Sequence, residues 1–136
     1  MKAKITWING RAFVAESGSG HAVVLDGAPD SGGRNIGVRP MEMMLMGLGG
    51  CTAFDVVEIL EKGRHKVTGC EIALEGERAS EIPKVFTKVK LIYRLKGENL
   101  NLAAVERAIK LSAEKYCSAS KMFEKTATIE HEWHVA

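Results

Sequence analysis

Cys51 and Cys117 are the residues of this chain best suited to do chemistry. They stand 66 residues apart. Cys51 ends the run Arg39-Pro40-Met41-Glu42-Met43-Met44-Leu45-Met46-Gly47-Leu48-Gly49-Gly50-Cys51, and Cys117 lies in Ala113-Glu114-Lys115-Tyr116-Cys117-Ser118. If the fold brings the two sulfurs together, they form a thiol pair able to cycle through a disulfide. Each also reads as a small buried hydrophobe, and composition alone does not choose between the two roles. Cys70 alternates in phase with Ile72 and Leu74 and is assigned to the core. His131 and His134 are three apart on a predicted strand and point to opposite faces, so no metal site is expected from them. His21 and His65 stand alone near turns. Gly47, Gly49 and Gly50 lie inside a helical pattern and precede no Lys-Ser/Thr, which excludes a phosphate loop. No Ser-His-Asp arrangement stands out, and no cofactor is expected.

The elements that must position these residues follow from periodicity and turn signals. Residues 3–26 read as three short strands. Ile5 and Trp7 alternate with Lys4 and Thr6, Asn9-Gly10 is a hairpin signal, and residues 13–16 and 22–25 follow around Ser17-Gly18-Ser19-Gly20. Residues 26–38 carry four Gly, one Pro and two Asp without periodicity, which predicts a mobile loop. Pro40 opens a long helix over about 41–62, with Gly63 as its C-terminal cap. Its interior Gly47, Gly49 and Gly50 cost roughly 1 kcal/mol each against alanine. Close approach of another helix, from a second copy of the chain, is the expected compensation.

Residues 67–78 alternate, with Cys70, Ile72 and Leu74 on one face and Glu71, Glu75 and Glu77 on the other. In residues 84–95, Val85, Val89, Leu91, Tyr93 and Leu95 face in, and Lys84, Lys88, Lys90 and Arg94 face out. Acidic beside basic outer faces predict antiparallel neighbours joined by cross-strand ion pairs. A second helix is predicted over 102–116, with Leu102, Val105, Ile109, Ser112 and Tyr116 in its stripe and Asn101 as N-cap. A short helix over 120–125 and a strand over 127–135 complete the order βββ-α-ββ-α-β, an α+β fold.

Bulk properties exclude several classes. The chain has 136 residues, a length for one domain, with 46% hydrophobic and 26% charged residues, as in ordinary folded proteins. A net charge of +2 is too small to argue for nucleic acid as partner. The longest charge-free apolar run covers residues 43–54, twelve in all, against about 20 needed to span a bilayer. Met1-Lys2-Ala3-Lys4 leads into a strand pattern and predicts no leader, hence a cytoplasmic location without a membrane partner. The count of three cysteines is odd and does not suit a disulfide scaffold.

Beyond this, Pro40-Met41-Glu42-Met43, Gly47-Leu48-Gly49-Gly50-Cys51-Thr52 and Ala113-Glu114-Lys115-Tyr116-Cys117-Ser118 resemble the OsmC/Ohr family, most closely its YhfA-like branch. The element order fits that family along essentially the whole chain, as a single domain over residues 1–136. The resemblance implies an intertwined homodimer in which two long helices cross at the centre and antiparallel sheets wrap around them. It implies reduction of organic hydroperoxides by a thiol pair, with Cys51 as peroxidatic and Cys117 as resolving cysteine. Arg11 matches the family's arginine from the N-terminal strands, and Glu42 stands for its acid. The implied partners are a small-molecule hydroperoxide and a dithiol reductant. Two departures stand out. The place directly after the proline holds Met41 where the family usually has glutamate, and Ser118 follows the second cysteine where proline is usual. Glu42 and Cys51 are nine residues apart, about 180° round a helix and roughly 13 Å along it, so Glu42 cannot serve its own Cys51.

In the implied chemistry, Arg11 lowers the Cys51 pKa, the thiolate is oxidised to a sulfenic acid, and Cys117 condenses with it to a disulfide. Two rivals use the same fold. One is a non-enzymatic dimer that binds a small apolar ligand, favoured by the shifted glutamate. The other is a thiol redox sensor that needs the cysteines but no peroxide pocket.

Overall fold

A computed structural model describes residues 1–136 and divides them into two compact units, Met1–Met44 and Leu45–Ala136. The first unit holds an antiparallel three-stranded sheet of β1 (Ala3–Asn9), β2 (Ala12–Ser17) and β3 (Ala22–Leu25), in that order. The predicted hairpin closes with Gly10 and Arg11 between Asn9 and Ala12, and Gly10 takes the left-handed φ of +53° that a tight hairpin demands. β1 leaves Ile5, Trp7 and Ile8 exposed within its unit.

The segment after β3 is more ordered than its composition suggests. Buried Asp26 accepts backbone N–H bonds from Gly27 at 2.7 Å, Arg34 at 3.1 Å and Ile36 at 3.4 Å. A 3₁₀ turn, Pro29–Ser31, forms inside that span. The chain folds back on itself so tightly that any Cβ at Gly33 would collide with the Gly27 carbonyl. One carboxylate thus supplies the order that hydrophobic periodicity could not predict.

Helix α1 (Pro40–Lys62) starts where the proline predicted. Its cap differs: the left-handed residue is Arg64, with φ +65°, and not Gly63. Gly63 N–H bonds Ile59 O and His65 N–H bonds Leu60 O, so the helix stops at Lys62 as expected and only the left-handed position falls one residue later. The 23-residue helix is long and apolar enough to cross a membrane by length and composition, although its charge-free run is short. Its Leu48, Gly49, Thr52, Val56 and Leu60 are buried, as in a core helix.

The second unit is built on β4 (Lys66–Arg78), β5 (Phe86–Glu98) and β6 (Thr128–Val135), in that order. β4 and β5 run antiparallel and pair Glu71 with Arg94, Glu75 with Lys90 and Glu77 with Lys88, as charge patterning predicted. Arg94 bonds Glu71 at 3.0 Å, while Lys88 and Lys90 turn to Glu130 and Glu132 of β6. The sheet is mixed, because β6 lies parallel to β5. A parallel neighbour needs a long crossover, here α2 (Leu102–Leu111), a π-helical turn over Ser112–Tyr116 and α3 (Ser118–Phe123). Val89, Leu91, Tyr93 and Leu95 form the buried face of β5, joined from the helices by Val105, Ala108, Ile109 and Phe123. Asn101 caps α2 by accepting from Ala104 N–H at 2.8 Å. The predicted α2 stripe is too long, since Leu102 and Tyr116 at its two ends are exposed.

Cys70 is a further correction. It is exposed and lines a groove with Ala53, Phe54, Val57, Glu58 and Glu61 of α1. Its strand phase holds, because Leu74 on the same face packs against Gly49 of the same helix. Gly49 therefore admits a strand, not a helix: a Cβ there would lie 2.6 Å from Leu74 Cδ1. Gly47 and Gly50 face open space.

Candidate thiol site

Cys51 sits midway along α1, with Asp55 one turn further on, so both side chains project from one side of the helix. Cys117 reaches them from the crossover. The π-helical turn widens the chain after α2, and the Cys117 N–H bonds Ser112 O at 2.8 Å. Cys117 then becomes the N-cap of α3, its sulfur accepting the Ser120 N–H at 3.3 Å. The result brings Cys51 Sγ, Cys117 Sγ and an Asp55 carboxylate oxygen within 4.8 Å of one another.

The surroundings treat the two sulfurs unequally. Cys117 is fully buried and Cys51 half-buried. Thr52 Oγ1 lies 3.5 Å from Cys117 Sγ. The buried Ser120 hydroxyl stands beside the same sulfur and has no other hydrogen-bond partner. Burial opposes ionisation of Cys117, but the Ser120 hydroxyl, the Thr52 hydroxyl and the Ser120 N–H outweigh it and hold the thiol below its ordinary pKa. Cys51 moves the other way. Burial pushes its pKa up, and the negative charges of Cys117 and Asp55 push further, against the Ala119 amide. Ionisation is therefore easier at Cys117 than at Cys51.

Asp55 is fixed in turn, its Oδ2 accepting the buried Ser112 hydroxyl at 2.9 Å. It also walls a hollow of about 280 Å³, lined further by Ile59, Leu111, Tyr116 and the ion-paired Glu58 and Lys62. Behind Cys117, Ser120 borders a second hollow of about 460 Å³ with Ile109, Ala113, Ile129, His131 and Trp133. His131 turns inward and its Nδ1 meets the Tyr93 hydroxyl at 2.8 Å, while His134 on the outer face pairs with Glu132.

Of the residues picked from sequence, Cys51 and Cys117 come together. Arg11 and Glu42 belong to the first unit and have their own neighbours there. The Arg11 stem lies against Gly27 and Gly32. Glu42 accepts the Arg39 N–H at 2.8 Å and pairs with its guanidinium at 3.6 Å, half of a capping box for α1. Sequence reasoning missed Thr52, Asp55, Ser112 and Ser120. Asp55 was within reach, since its spacing of four from Cys51 puts the two side by side on a helix. The serines were not, because the π-helical turn that aims them has no spacing signature.

The model of the family described as OsmC-like protein matches residues 31–132. Protein YhfA of Escherichia coli strain K12 is 47% identical over 135 residues, covering 99% of this chain and 98% of that protein. A hypothetical protein from Aquifex aeolicus VF5 has a solved structure with TM-score 0.86 at 28% identity, covering 99% of this chain and 95% of the other. The organic hydroperoxide resistance protein OhrB of Bacillus subtilis shares the fold, with TM-score 0.67 at 17% identity and 98% coverage of both chains.

Proposed function

We propose, for a chain that belongs to the OsmC-like family, that this redox-stress protein reduces organic hydroperoxides through Cys51 and Cys117. The observation that carries the reading is the approach of the two sulfurs to within 4.8 Å, from elements far apart in sequence. Cys51 is the less buried of the two thiols, and Cys117, the more readily ionised, is the base beside it. As Cys51 Sγ attacks the distal peroxide oxygen, its proton passes to Cys117, the O–O bond breaks and an alkoxide leaves. The alkoxide takes the proton back from Cys117 and departs as the alcohol. The Cys117 thiolate then attacks the Cys51 sulfenic acid, the S–S bond forms and hydroxide leaves. A dithiol reductant returns both thiols by exchange. The hollow walled by Ile59, Leu111, Tyr116 and Asp55, one turn along α1 from Cys51, suits a small alkyl group.

In this reading the protein works in the cytoplasm, where free thiols persist, and as a homodimer. Exposed Met44, Met46 and Phe54 beside the open faces of Gly47 and Gly50 support self-association along α1. Arg11 and Glu42 stay candidate catalytic residues on the strength of the family resemblance. Stopped-flow oxidation by cumene hydroperoxide and by hydrogen peroxide, against Cys51→Ser, tests the proposal. Fast oxidation of wild type is expected, with a Cys51–Cys117 disulfide as product; a Cys51 that stays reduced refutes it.

One observation favours the rival of apolar ligand binding. The hollow of about 460 Å³ has Ile109, Ile129 and Trp133 in its walls. Quenching of Trp133 fluorescence by small apolar compounds, with Cys51 inert to peroxide, would establish that reading instead.

A further inference from the structure

We propose that Cys51, Cys117 and Asp55 form a binding site for one thiophilic divalent cation, with zinc as its natural occupant. Zinc bonds of about 2.3 Å to sulfur and 2.0–2.2 Å to carboxylate oxygen put tetrahedral ligand atoms roughly 3.5–3.8 Å apart. The three donor atoms already lie within 4.8 Å of one another, so side-chain adjustments of about 1 Å or less complete the set. Two thiolates with one carboxylate are a soft donor set that suits zinc over magnesium or calcium. The fourth position stays open to water or an added thiol.

Two features of the site are otherwise hard to account for. A carboxylate oxygen held within 4.8 Å of two sulfurs is a repulsive neighbour for any thiolate there. Next to a cation the same charge is an asset. Asp55 is also held in place by the Ser112 hydroxyl, which donates to its Oδ2. Such outer partners orient ligating carboxylates. The lysine of the adjoining hollow, Lys62, is paired with Glu58 at 2.9 Å and leaves the cluster's negative charge to the cation.

Binding displaces the Cys51 proton, and oxidation of the pair to a disulfide removes both sulfur donors and releases the ion. Peroxide and zinc therefore compete for the same sulfurs. The proposal rests on donor placement and stands whether or not the protein turns over peroxide.

Calorimetric titration of reduced, metal-free protein with zinc chloride, in two buffers of different ionisation heat, is the test. One zinc per chain is expected, with proton release, and cobalt in its place should show sulfur-to-cobalt charge-transfer absorption. Cys51→Ser or Cys117→Ser should abolish the absorption. Asp55→Ala and Ser112→Ala should each weaken binding about tenfold or more. Should a variant fail to fold, wild type oxidised with diamide and then reduced again replaces it: binding must vanish and return. No stoichiometric binding to reduced protein, or binding that survives loss of both cysteines, overturns the proposal. Peroxide consumption is measured separately under chelator, so its failure and that of the zinc site are told apart.

Discussion

The Thr52 hydroxyl stands 3.5 Å from Cys117 Sγ, and Thr52 is the residue next to Cys51 on α1. One helix thus carries one cysteine and favours ionisation of the other. A hydrogen bond to a charged group is worth about 1.5–3 kcal/mol. Thr52→Val keeps the shape and loses the donor. It should raise the Cys117 pKa and slow Cys51 oxidation roughly tenfold or more, read from thiolate absorbance against pH and from stopped flow.

Cys117→Ser removes both the base and the resolving sulfur. The first oxidation of Cys51 should slow, and its product should run on to the sulfinic acid, since nothing condenses with the sulfenate. Peptide masses after excess cumene hydroperoxide decide it. A sulfenate that persists in the variant would show that Cys117 is not the resolving group.

Asp26 sets an acid-side limit on stability. Burial pushes its pKa up, but the N–H bonds from Arg34, Gly27 and Ile36 win and hold it below the ordinary value. A depressed folded pKa gives stability that is present above the unfolded value and is lost as pH falls through the folded one. Urea midpoints should therefore drop as pH is lowered below about 4. Asp26→Asn should be less stable at neutral pH and lose most of that dependence.

The three α1 glycines should answer alanine differently. Gly49→Ala must push the tip of Leu74 aside and should cost about 1 kcal/mol of stability. Gly47→Ala and Gly50→Ala meet nothing within the chain, and helix propensity should add up to about 1 kcal/mol to each. If a second copy packs there, the same substitutions should instead weaken self-association, read by sedimentation beside thermal unfolding.

Strand phases and α1 were legible because period and proline are local signals, while the partnership of Cys51 with Cys117 came only from the family resemblance. The ion-pair register of β4 and β5 followed from alternating charge. What the sequence concealed is three-dimensional. Asp26 orders a glycine-rich loop through backbone amides that no side-chain pattern announces. Cys70 keeps its strand phase and is nonetheless exposed, beside a groove along α1 that no alternation of side chains reveals. The π-helical turn swings Cys117 and Ser112 toward α1, and a 3.6-residue period cannot foresee it.

The placement of the two sulfurs on α1 and on the β5–β6 crossover has a consequence for chain topology. A bond between them would close a ring of 66 residues that contains β4, β5 and α2. On a chain-entropy account, a ring of that length takes about 4 kcal/mol of freedom from the unfolded polypeptide. The oxidised protein would then be a cross-braced form with a higher melting point. Each reduction would relax the brace, and the protein's own resistance to unfolding would report its redox state.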